Sequence, residues 1–345
     1  MAPAATDITL AILPLDLVPG RCSWTVVLVI LTVTMNPAYD VTYRVENYTR
    51  GQAHRVRSVE QRLGGKGINV TRVLNQLGRY ARATGFADHA FAAAAEAEIP
   101  VDFVHALPWV RRTVVISESD TGTATAFREP GARISNPHAS EQLEVRVSGM
   151  LPHISGLVIA GSLPDGIDPG LPARIAHAAL DAAVPTVCDL HGPALRMAAR
   201  VPGVVLLPGL GEFESLTHCR PETPEALVTA TRPLVDRGVG AVIVTRGPLG
   251  MVGVTPDGSW EARLPEPLTG NPTGAGDTVA AAVIAALATT KTPDWPAILV
   301  DAVATSAASV VIPVAGEIDR RLRGHLAPTV LISELETPDR KSAGD

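Results

Sequence analysis

The chain of 345 residues lacks several features, and each absence excludes a class of protein. Its three cysteines (Cys22, Cys188 and Cys219) lie far apart and form no CxxC pair, which argues against a disulfide framework and against a zinc site. Basic residues (29) are fewer than acidic ones (35), so the basic excess of a general nucleic-acid-binding protein is missing. We therefore expect no nucleic-acid partner, and we expect a reducing, cytoplasmic location.

Signals for export or membrane insertion are also weak. No lysine or arginine precedes Arg21, so the positive n-region of a signal peptide is absent. The apolar run 26–35 is shorter than the roughly 20 residues that span a bilayer. Its Val, Ile and Thr content and the Asn36-Pro37 pair that follows predict a buried strand ending in a turn. We expect no membrane partner, and we expect residues 1–23 to form a poorly ordered extension.

Lysine is scarce as well. Of the 29 basic residues only Lys66, Lys291 and Lys341 are lysine, so Lys66 is the only one in the first 290 residues. Position alone leaves open whether Lys66 is retained for a function or by chance on a solvated surface. The apolar fraction of 46% excludes wholesale disorder and suffices for a large core.

The pattern of apolar runs predicts an α/β domain. Short runs that read as buried strands alternate with helical stretches, as in βαβ units with a parallel sheet covered on both faces. The predicted strands are 156–160, 185–188, 204–207 and 241–245, and the helices include 171–183 and 224–237.

Two other segments have a different pattern. Polar and apolar residues alternate in about 41–63 and 110–129, which is typical of a half-exposed antiparallel sheet. We predict that these segments form a small β-sheet lid on a larger α/β body of residues 24–325, followed by a polar tail, 326–345.

The first motif with chemical meaning is GGKGIN at Gly64–Asn69. Apolar residues follow it at helical spacing, so a helix is expected to begin close to Gly67 and to end at Gly78. Glycines before a helix let backbone N–H groups approach an anion, and Lys66 adds a full charge. The motif suggests a phosphate site, although it is not a Walker A loop, which has Ser or Thr after the lysine. The alternative is a glycine turn with an exposed lysine.

The second motif is NPTGAGDT at Asn271–Thr278, followed by a helix that is apolar on all sides. Its Gly-Ala-Gly segment leaves free N–H donors at the helix start, beside Asp277. In phosphoryl transfer, such donors stabilise the spreading charge while a carboxylate accepts the proton of the nucleophile's hydroxyl. The alternative is a simple Asp N-cap after a glycine turn.

The third motif is the turn at Asn36-Pro37, which presents Asp40 at the carboxyl edge of the predicted sheet. Open α/β sheets bind ligands at that edge, and a carboxylate there could hold sugar hydroxyls. Alone the motif means little.

Together, in this order and spacing, the three motifs resemble the ribokinase-like (PfkB) sugar kinases. The segments LTVTMNPAYDVTY and GGKGINVTRVLNQLG look most like the 1-phosphofructokinase and tagatose-6-phosphate kinase branch, and the resemblance covers about residues 29–320. It implies a ribokinase-like three-layer α/β/α sandwich with a mostly parallel central sheet and a small β-sheet lid. It also implies ATP and Mg²⁺, allows a monovalent cation, and implies a homodimer formed through the lid.

The resemblance gives each matching position a role. Asp277 matches the catalytic base, and the anion hole matches Gly274, Ala275 and Gly276. The sugar would contact Asp40 and Asn69, with Ser162 of the GSLPDG segment nearby. The phosphate already on the substrate would contact Lys66 in the Gly65-Lys66 turn, aided by Arg111. The remaining roles are nucleotide binding at Thr245, Gly247, Thr273, Gly274 and Gly276, and organisation of magnesium at Glu212.

The chain departs from the family pattern at three places. Leu207 and Gly209 stand where the branch has a lysine near the transferring phosphate and an asparagine near the metal, which predicts slower catalysis unless another residue, such as Arg246, fills the role. Val110 replaces the threonine before the lid arginine. Where the family has glycines next to the substrate pocket, this chain has Ala87, Asp88 and His89. We expect His89 to be an exposed loop residue.

The sequence leaves two functions of different classes open. The first is ATP-dependent phosphorylation of a ketohexose monophosphate to a bisphosphate, as by a fructose 1-phosphate kinase or a tagatose-6-phosphate kinase. The second is a degenerate kinase fold that only binds a sugar phosphate; the losses at Leu207 and Gly209 favour it, whereas the intact Asp277 opposes it. A dinucleotide-binding oxidoreductase is disfavoured because no GxGxxG follows the first strand.

Overall fold

The computed structural model describes residues 29–134 and 136–336, which form a large sheet, a small sheet and ten helices. The strands are β1 (Val29–Thr34), β2 (Ala38–Val45), β3 (Ser58–Gly64), β4 (Ala81–Ala87), β5 (Val101–His105), β6 (Arg111–Glu118), β7 (Ala124–Arg128), β8 (Ile154–Ala160), β9 (Thr186–Asp189), β10 (Val205–Leu206), β11 (Ala241–Thr245), β12 (Met251–Val254), β13 (Ser259–Arg263) and β14 (Leu331–Glu334).

The helices lie mostly between successive strands. They are α1 (Lys66–Gln76), α2 (His89–Glu96), α3 (Ala139–Met150), α4 (Leu171–Asp181), α5 (Gly192–Ala198), α6 (Leu210–Thr217), α7 (Pro224–Asp236), α8 (Ala275–Leu287), α9 (Trp295–Val310) and α10 (Arg320–Leu326). Within the described part of the chain, no helix is long and apolar enough to cross a membrane.

The large sheet has the strand order β14-β13-β12-β11-β10-β9-β8-β1-β4-β5. It is parallel from β11 to β5 and antiparallel from β11 to β14, so the prediction of a mostly parallel sheet is confirmed. Residues of β1 alternate between the two core clusters: Leu31 and Val33 pack on one face and Ile30 on the other. Helices α2–α7 cover the first face and α1, α8 and α9 the second, which is the predicted three-layer arrangement.

The small sheet, with the order β3-β2-β6-β7, is the predicted lid. One detail of the prediction is wrong, because β2 pairs with β6 in parallel while the other two pairs are antiparallel. The reason lies in the connections. Strand β2 follows β1 and β6 follows β5, and both leave the same carboxyl edge of the parallel sheet in the same direction.

Other boundaries also differ from the sequence prediction. Strand β14 pairs with β13, so the large sheet extends past residue 325, where only a polar tail was expected. All four β14 residues are exposed, which explains why no alternation marked them. His89 is exposed but begins α2 rather than lying in a loop. The predicted extension 1–23 and the tail beyond 336 lie outside the described residues.

Close approach between β1 and β4 requires a glycine. Gly85 has a φ of +132°, and a Cβ atom there would lie 1.9 Å from the carbonyl oxygen of Thr34. The backbones of β1 and β4 therefore approach each other closely at the carboxyl edge of the sheet, from which the motif loops leave.

We predict that Gly85→Ala lowers the free energy of unfolding by about 2–5 kcal/mol, because it adds backbone strain and a clash with main-chain atoms. Urea denaturation measures the change. Gly149→Ala is the matched control, since a Cβ there meets nothing within 4 Å inside α3; it should leave stability within about 1 kcal/mol of the parent or raise it. Equal stability of Gly85→Ala and the parent would contradict this packing.

Candidate active site

The three motifs meet at the carboxyl edge of the parallel strands. Helix α1 begins at Lys66, within a residue of the predicted start, and α8 begins at Ala275 after Gly274. Gly274 has a φ of +84°, and a Cβ there would lie 2.8 Å from the side chain of Ala315, so the turn into α8 requires a glycine. Asp277 is the third residue of α8 and is not its N-cap.

Asp277 is a buried carboxyl with one hydrogen bond from a side chain. It is 4% exposed, and Asn69 Nδ2 donates to its Oδ2 at 2.8 Å. Burial raises the pKa of Asp277 to about 7; the charge of Lys66 opposes this rise and Asp189 adds to it. A carboxylate with this pKa can take up a proton near neutral pH, which is the property of a general base.

The start of α8 supplies backbone donors beside this carboxyl. The N–H groups of the first turn of a helix have no acceptor within the helix. Ala275 donates to the Pro272 carbonyl at 3.2 Å, whereas the N–H groups of Gly274, Gly276 and Asp277 have no backbone acceptor among the described residues. A Cβ at Gly276 would meet nothing within 4 Å, so space above this turn is open. The anion hole of Gly274, Ala275 and Gly276 stays a prediction, and in the structure the Ala275 N–H is already hydrogen-bonded within the turn.

Lys66 lies inside the site and forms an ion pair. Its Nζ is 2.7 Å from Asp189 Oδ1, and the Asp189 side chain is 8% exposed. Burial alone would lower the pKa of Lys66, but the nearby carboxylates of Asp189, Asp277 and Glu212 raise it overall. Lys66 therefore remains charged, paired with Asp189 and near the carboxylates of Asp277 and Glu212. The alternative reading, a glycine turn with an exposed lysine, does not fit this ion-paired position at the start of α1.

Asp189 was missed at the sequence level. It ends β9, directly after the apolar run 185–188, so the available signal was an acidic residue at the carboxyl end of a buried strand. Its Oδ2 is buried, and the described residues provide no hydrogen-bond partner for it. An unpartnered carboxylate oxygen beside a cleft fits a bound cation.

The donor set suits magnesium. Glu212 lies in the first turn of α6. Both Asp189 and Glu212 are close enough to Lys66 to raise the pKa of the lysine. Within residues 29–134 and 136–336 no group of three or more His, Cys, Asp or Glu side chains forms a ready-made metal cage. Magnesium needs none, because one or two carboxylates, water and substrate phosphates suffice.

Asp40 occupies the lid side of the cleft. A Cβ at Gly64 would lie 2.0 Å from Asp40 Oδ2, so the first glycine of the GGKG motif makes room for this carboxylate. Burial raises the pKa of Asp40 to about 6, and the charges of Arg111 and Arg72 and a hydrogen bond with Thr113 oppose this rise. The next glycine, Gly65, has a φ of +114° and turns the chain into α1.

The other predicted sugar contacts lie on the same side. Asn36 Nδ2 donates to Ser162 Oγ at 2.9 Å, and the Arg111 guanidinium donates to the Asn36 carbonyl at 3.4 Å. Arg111 also donates to the Glu129 carbonyl at 3.3 Å. Asn36 therefore connects the predicted residues Ser162 and Arg111.

Asp88, one of the residues that stand in place of the family glycines, has a structural role. Asp88 accepts hydrogen bonds from the N–H of Phe91, which caps α2, and from the N–H of Val110 at 2.9 Å. Val110 directly precedes Arg111, so Asp88 fixes the entry into the lid strand β6. Sequence reasoning noted the replaced glycines but did not find this role.

A cavity of about 580 Å³ adjoins the start of α8, and none of the described residues of the lid strands lines it. Thr245, Gly247 and Gly276, three of the residues predicted to bind the nucleotide, line it together with Ala275. Thr273 and Gly274 are not among the described residues that line it. Thr273 instead donates its N–H to Asn271 Oδ1 at 3.0 Å within the turn.

The structure corrects the expectation about Leu207 and Arg246. Leu207 is 4% exposed and packs in the apolar cluster that contains Val279, so its side chain does not face the cleft. The Arg246 side chain is 7% exposed and pairs with Glu261, which excludes it as a substitute for the missing lysine. Gly209 does border the site, since a Cβ there would lie 2.7 Å from Glu212 Oε2.

Known proteins share the fold of this chain. Phosphofructokinase-2 from Escherichia coli, solved in complex with potassium, is 25% identical, with a TM-score of 0.79 over 87% of this chain and 98% of that one. A possible 1-phosphofructokinase from Thermotoga maritima (22% identity, TM-score 0.80, 89% and 100% covered) and a ribokinase from Arabidopsis thaliana (20%, 0.66, 87% and 98%) share the fold. Residues 29–317 match the pfkB family carbohydrate kinases. The chain therefore belongs to the pfkB family of carbohydrate kinases.

Proposed function

We propose that this sugar kinase uses ATP to phosphorylate a ketohexose monophosphate to a bisphosphate, in the manner of a fructose 1-phosphate kinase. The observation that carries the proposal is Asp277, a buried carboxyl with a pKa of about 7 at the start of α8, beside open backbone donors. A protein that only bound a sugar phosphate would have no use for a base in this position.

The residues support a direct transfer. The Asp277 carboxylate accepts the proton of the substrate hydroxyl as the hydroxyl oxygen bonds to the terminal phosphorus of ATP. The bond from that phosphorus to the bridging oxygen breaks, and ADP leaves with the electron pair. The N–H groups of Gly276 and Asp277 stabilise the charge on the transferring group. Asn69 holds the Asp277 carboxyl by its hydrogen bond, and Asp40 accepts hydroxyl groups of the sugar.

Glu212 and Asp189 would hold magnesium, which when bound neutralises phosphate charge during transfer. The nucleotide would occupy the cavity lined by Thr245 and Gly247. The Escherichia coli phosphofructokinase-2 structure contains potassium, which supports keeping a monovalent cation among the proposed ligands.

Two cations support a phosphorylated substrate. Lys66 and Arg111 both lie in the cleft between lid and body, and positive groups in a pocket favour an anion. Phosphofructokinase-2 from Escherichia coli has been solved with fructose-6-phosphate, a ketohexose monophosphate. Tagatose 6-phosphate is the alternative substrate. We further propose a homodimer formed through the lid, and a cytoplasmic location.

The second candidate, a degenerate kinase that only binds sugar phosphate, rests on Leu207 and Gly209. A nucleotide-release assay separates the two. The protein is incubated with ATP, magnesium and, in turn, fructose 1-phosphate, tagatose 6-phosphate, fructose 6-phosphate and fructose. We expect sugar-dependent ADP release with one of the phosphorylated ketohexoses and little with fructose. Binding without ADP release in every case would favour the degenerate kinase.

Replacing the base should abolish turnover without unfolding the protein. We predict that Asp277→Asn lowers kcat on the best substrate by about 10²–10⁴, because the amide cannot accept the proton. Asp120→Asn, at an exposed turn of the lid, is the control and should match the parent. A parent-like kcat for Asp277→Asn would remove this residue from the mechanism.

The activity should depend on pH near neutrality. Because the base must be deprotonated, kcat/KM is predicted to rise as the pH increases through about 7 and to level off above it. Removing the Lys66 charge with Lys66→Met should move this rise to higher pH, since that charge lowers the pKa of Asp277. The exposed Lys291→Met serves as control. An activity rise centred near pH 4, or unmoved in Lys66→Met, contradicts the assignment.

Restoring the family residues at positions 207 and 209 should harm the protein at the first position and help it at the second. We predict that Leu207→Lys lowers the free energy of unfolding by about 2–5 kcal/mol, because it removes a core side chain and buries a charge. Gly209→Asn, beside Glu212, should leave the fold intact and lower the magnesium concentration needed for half-maximal activity. Denaturation curves and a magnesium series test both. A gain in kcat from Leu207→Lys would show that position 207 does reach the cleft.

A further inference from the structure

One wall of the cavity proposed for the nucleotide is a loop with almost no polar side chains. This loop, residues 246–250, connects β11 to β12, and Gly247, Pro248 and Gly250 line the cavity. Of the five loop residues only Arg246 has a side chain that can form a hydrogen bond. Any hydrogen bond from a loop side chain to the body must therefore come from Arg246.

The Arg246 side chain is directed to the sheet and not to the cavity. It is 7% exposed, and Arg246 is not among the described residues that line the cavity. Its Nη2 donates to the Leu249 carbonyl at 2.8 Å and pairs with the Glu261 carboxylate. Glu261 belongs to β13 and lies opposite Val252 of β12. One side chain thus joins the tip of the loop to strand β13.

A glycine brings the loop close to the same strand. Gly250 has a φ of +80°, and a Cβ there would lie 2.2 Å from the carbonyl oxygen of Ala262, the neighbour of Glu261. The Gly250 carbonyl accepts the N–H of Arg246 at 2.8 Å, which closes the loop. The Leu249 side chain is 62% exposed, so the tip of the loop packs little against the body. The loop conformation therefore depends on its main-chain turns and on the Arg246–Glu261 pair.

This ion pair gives the loop a fixed position more than it gives the fold stability. The free energy needed to take two charges out of water roughly cancels their attraction, and apolar side chains of similar size often stabilise a protein as well. A guanidinium is planar and presents its donors at fixed angles. Here it is bonded to the Leu249 carbonyl and to the Glu261 carboxylate at the same time. Those two bonds restrict a loop whose two glycines allow many conformations.

We infer that Arg246 is a positioning residue for the nucleotide. Together with Glu261 it holds the loop in the conformation in which Gly247 and Gly250 form a wall of the cavity. The inference rests on the proposed function, which places ATP in this cavity. Arg246 acts through the loop, so its loss should weaken ATP binding without removing a group that takes part in the chemistry.

Arg232 offers a matched control. It lies in α7 and donates to the Thr255 carbonyl at 2.8 Å and to Ser259 Oγ at 2.9 Å. These contacts lie at the turn between β12 and β13, and none of the three residues is among those described as lining the cavity. Arg246→Met and Arg232→Met therefore each remove an arginine bonded to the same hairpin, the first at the end beside the cavity and the second at the other end.

The test is calorimetric titration of the full chain with the non-hydrolysable ATP analogue AMP-PNP and magnesium. Arg246→Met should raise the Kd of the analogue about ten- to a hundredfold, because a displacement of about 1 Å in a binding group can have an effect of this size. Arg232→Met should leave that Kd unchanged. In steady-state kinetics Arg246→Met should raise the KM for ATP and leave kcat at saturating ATP and the KM for the sugar unchanged.

A double variant separates positioning from stability. The single change leaves the Glu261 carboxylate without its partner, whereas Arg246→Met combined with Glu261→Met replaces both charges by apolar side chains. The Tm of the double variant should therefore recover toward that of the parent. Its Kd for AMP-PNP should stay raised, because the Leu249 carbonyl has lost its donor. This variant carries the test if Arg246→Met alone is too unstable to titrate.

Three outcomes would overturn the inference: a parent-like Kd in Arg246→Met, an equal loss of affinity in Arg232→Met, or a double variant that recovers both Tm and Kd. Failure of the proposed function is distinguishable from these. A parent that does not bind AMP-PNP contradicts the proposed nucleotide site itself. A parent that binds it through this loop but transfers no phosphoryl group from ATP contradicts the kinase proposal and leaves the role of Arg246 standing.

Discussion

The site depends on the balance between burial of the Asp277 carboxyl and the positive charge of Lys66. Three acidic side chains, Asp277, Asp189 and Asp40, converge at the carboxyl edge of the sheet, and burial raises the pKa of Asp277 and of Asp40. The positive charge of Lys66 counteracts this effect of burial, because Lys66 forms an ion pair with Asp189 and lies close to Asp277. Without the lysine charge, a protonated Asp277 would be a poor proton acceptor at neutral pH.

The same edge also connects the two sheets. Gly64 lets the lid carboxylate of Asp40 approach the start of α1, and Arg62 ties the lid to Glu317 in the segment after α9. That segment passes close to Asn69, since a Cβ at Gly316 would lie 3.0 Å from Asn69 Oδ1. The residue that holds the base is therefore packed against a segment that also anchors the lid. The proposed sugar site under the lid and the side chain that orients Asp277 are thus parts of one contiguous structure.

The sequence predicted the elements whose signal is local. The glycine motifs before α1 and α8 placed both helix starts within a residue or two, and the continuous apolar runs predicted the parallel strands β1, β8, β9, β10 and β11, because these patterns depend only on neighbouring residues. The parallel strands β4 and β5 were not predicted. The parallel pairing of β2 with β6 could not be read in this way, since it depends on where distant connections leave the large sheet. Strand β14 was missed because it is exposed along its whole length.

The roles of single side chains were harder to predict. Asp189 and Asp88 carry no motif of their own, and their importance comes from partners far away in sequence: Lys66 for the first and the N–H of Val110 for the second. Leu207 was expected at the phosphates because of its place in a family pattern, but an apolar side chain at a buried position packs with the core. Family alignment gives the position of the backbone and not the direction of a changed side chain.

The most direct test of the central claim is the pKa of the Asp277 carboxyl itself. It can be followed by NMR in protein labelled with ¹³C at aspartate carboxyl carbons, with the resonance assigned by its loss in Asp277→Asn. The account predicts a titration centred at about 7 in the free protein. A titration near the ordinary value of about 4 would contradict it, because the carboxyl would then be solvated and not the buried base on which the mechanism rests.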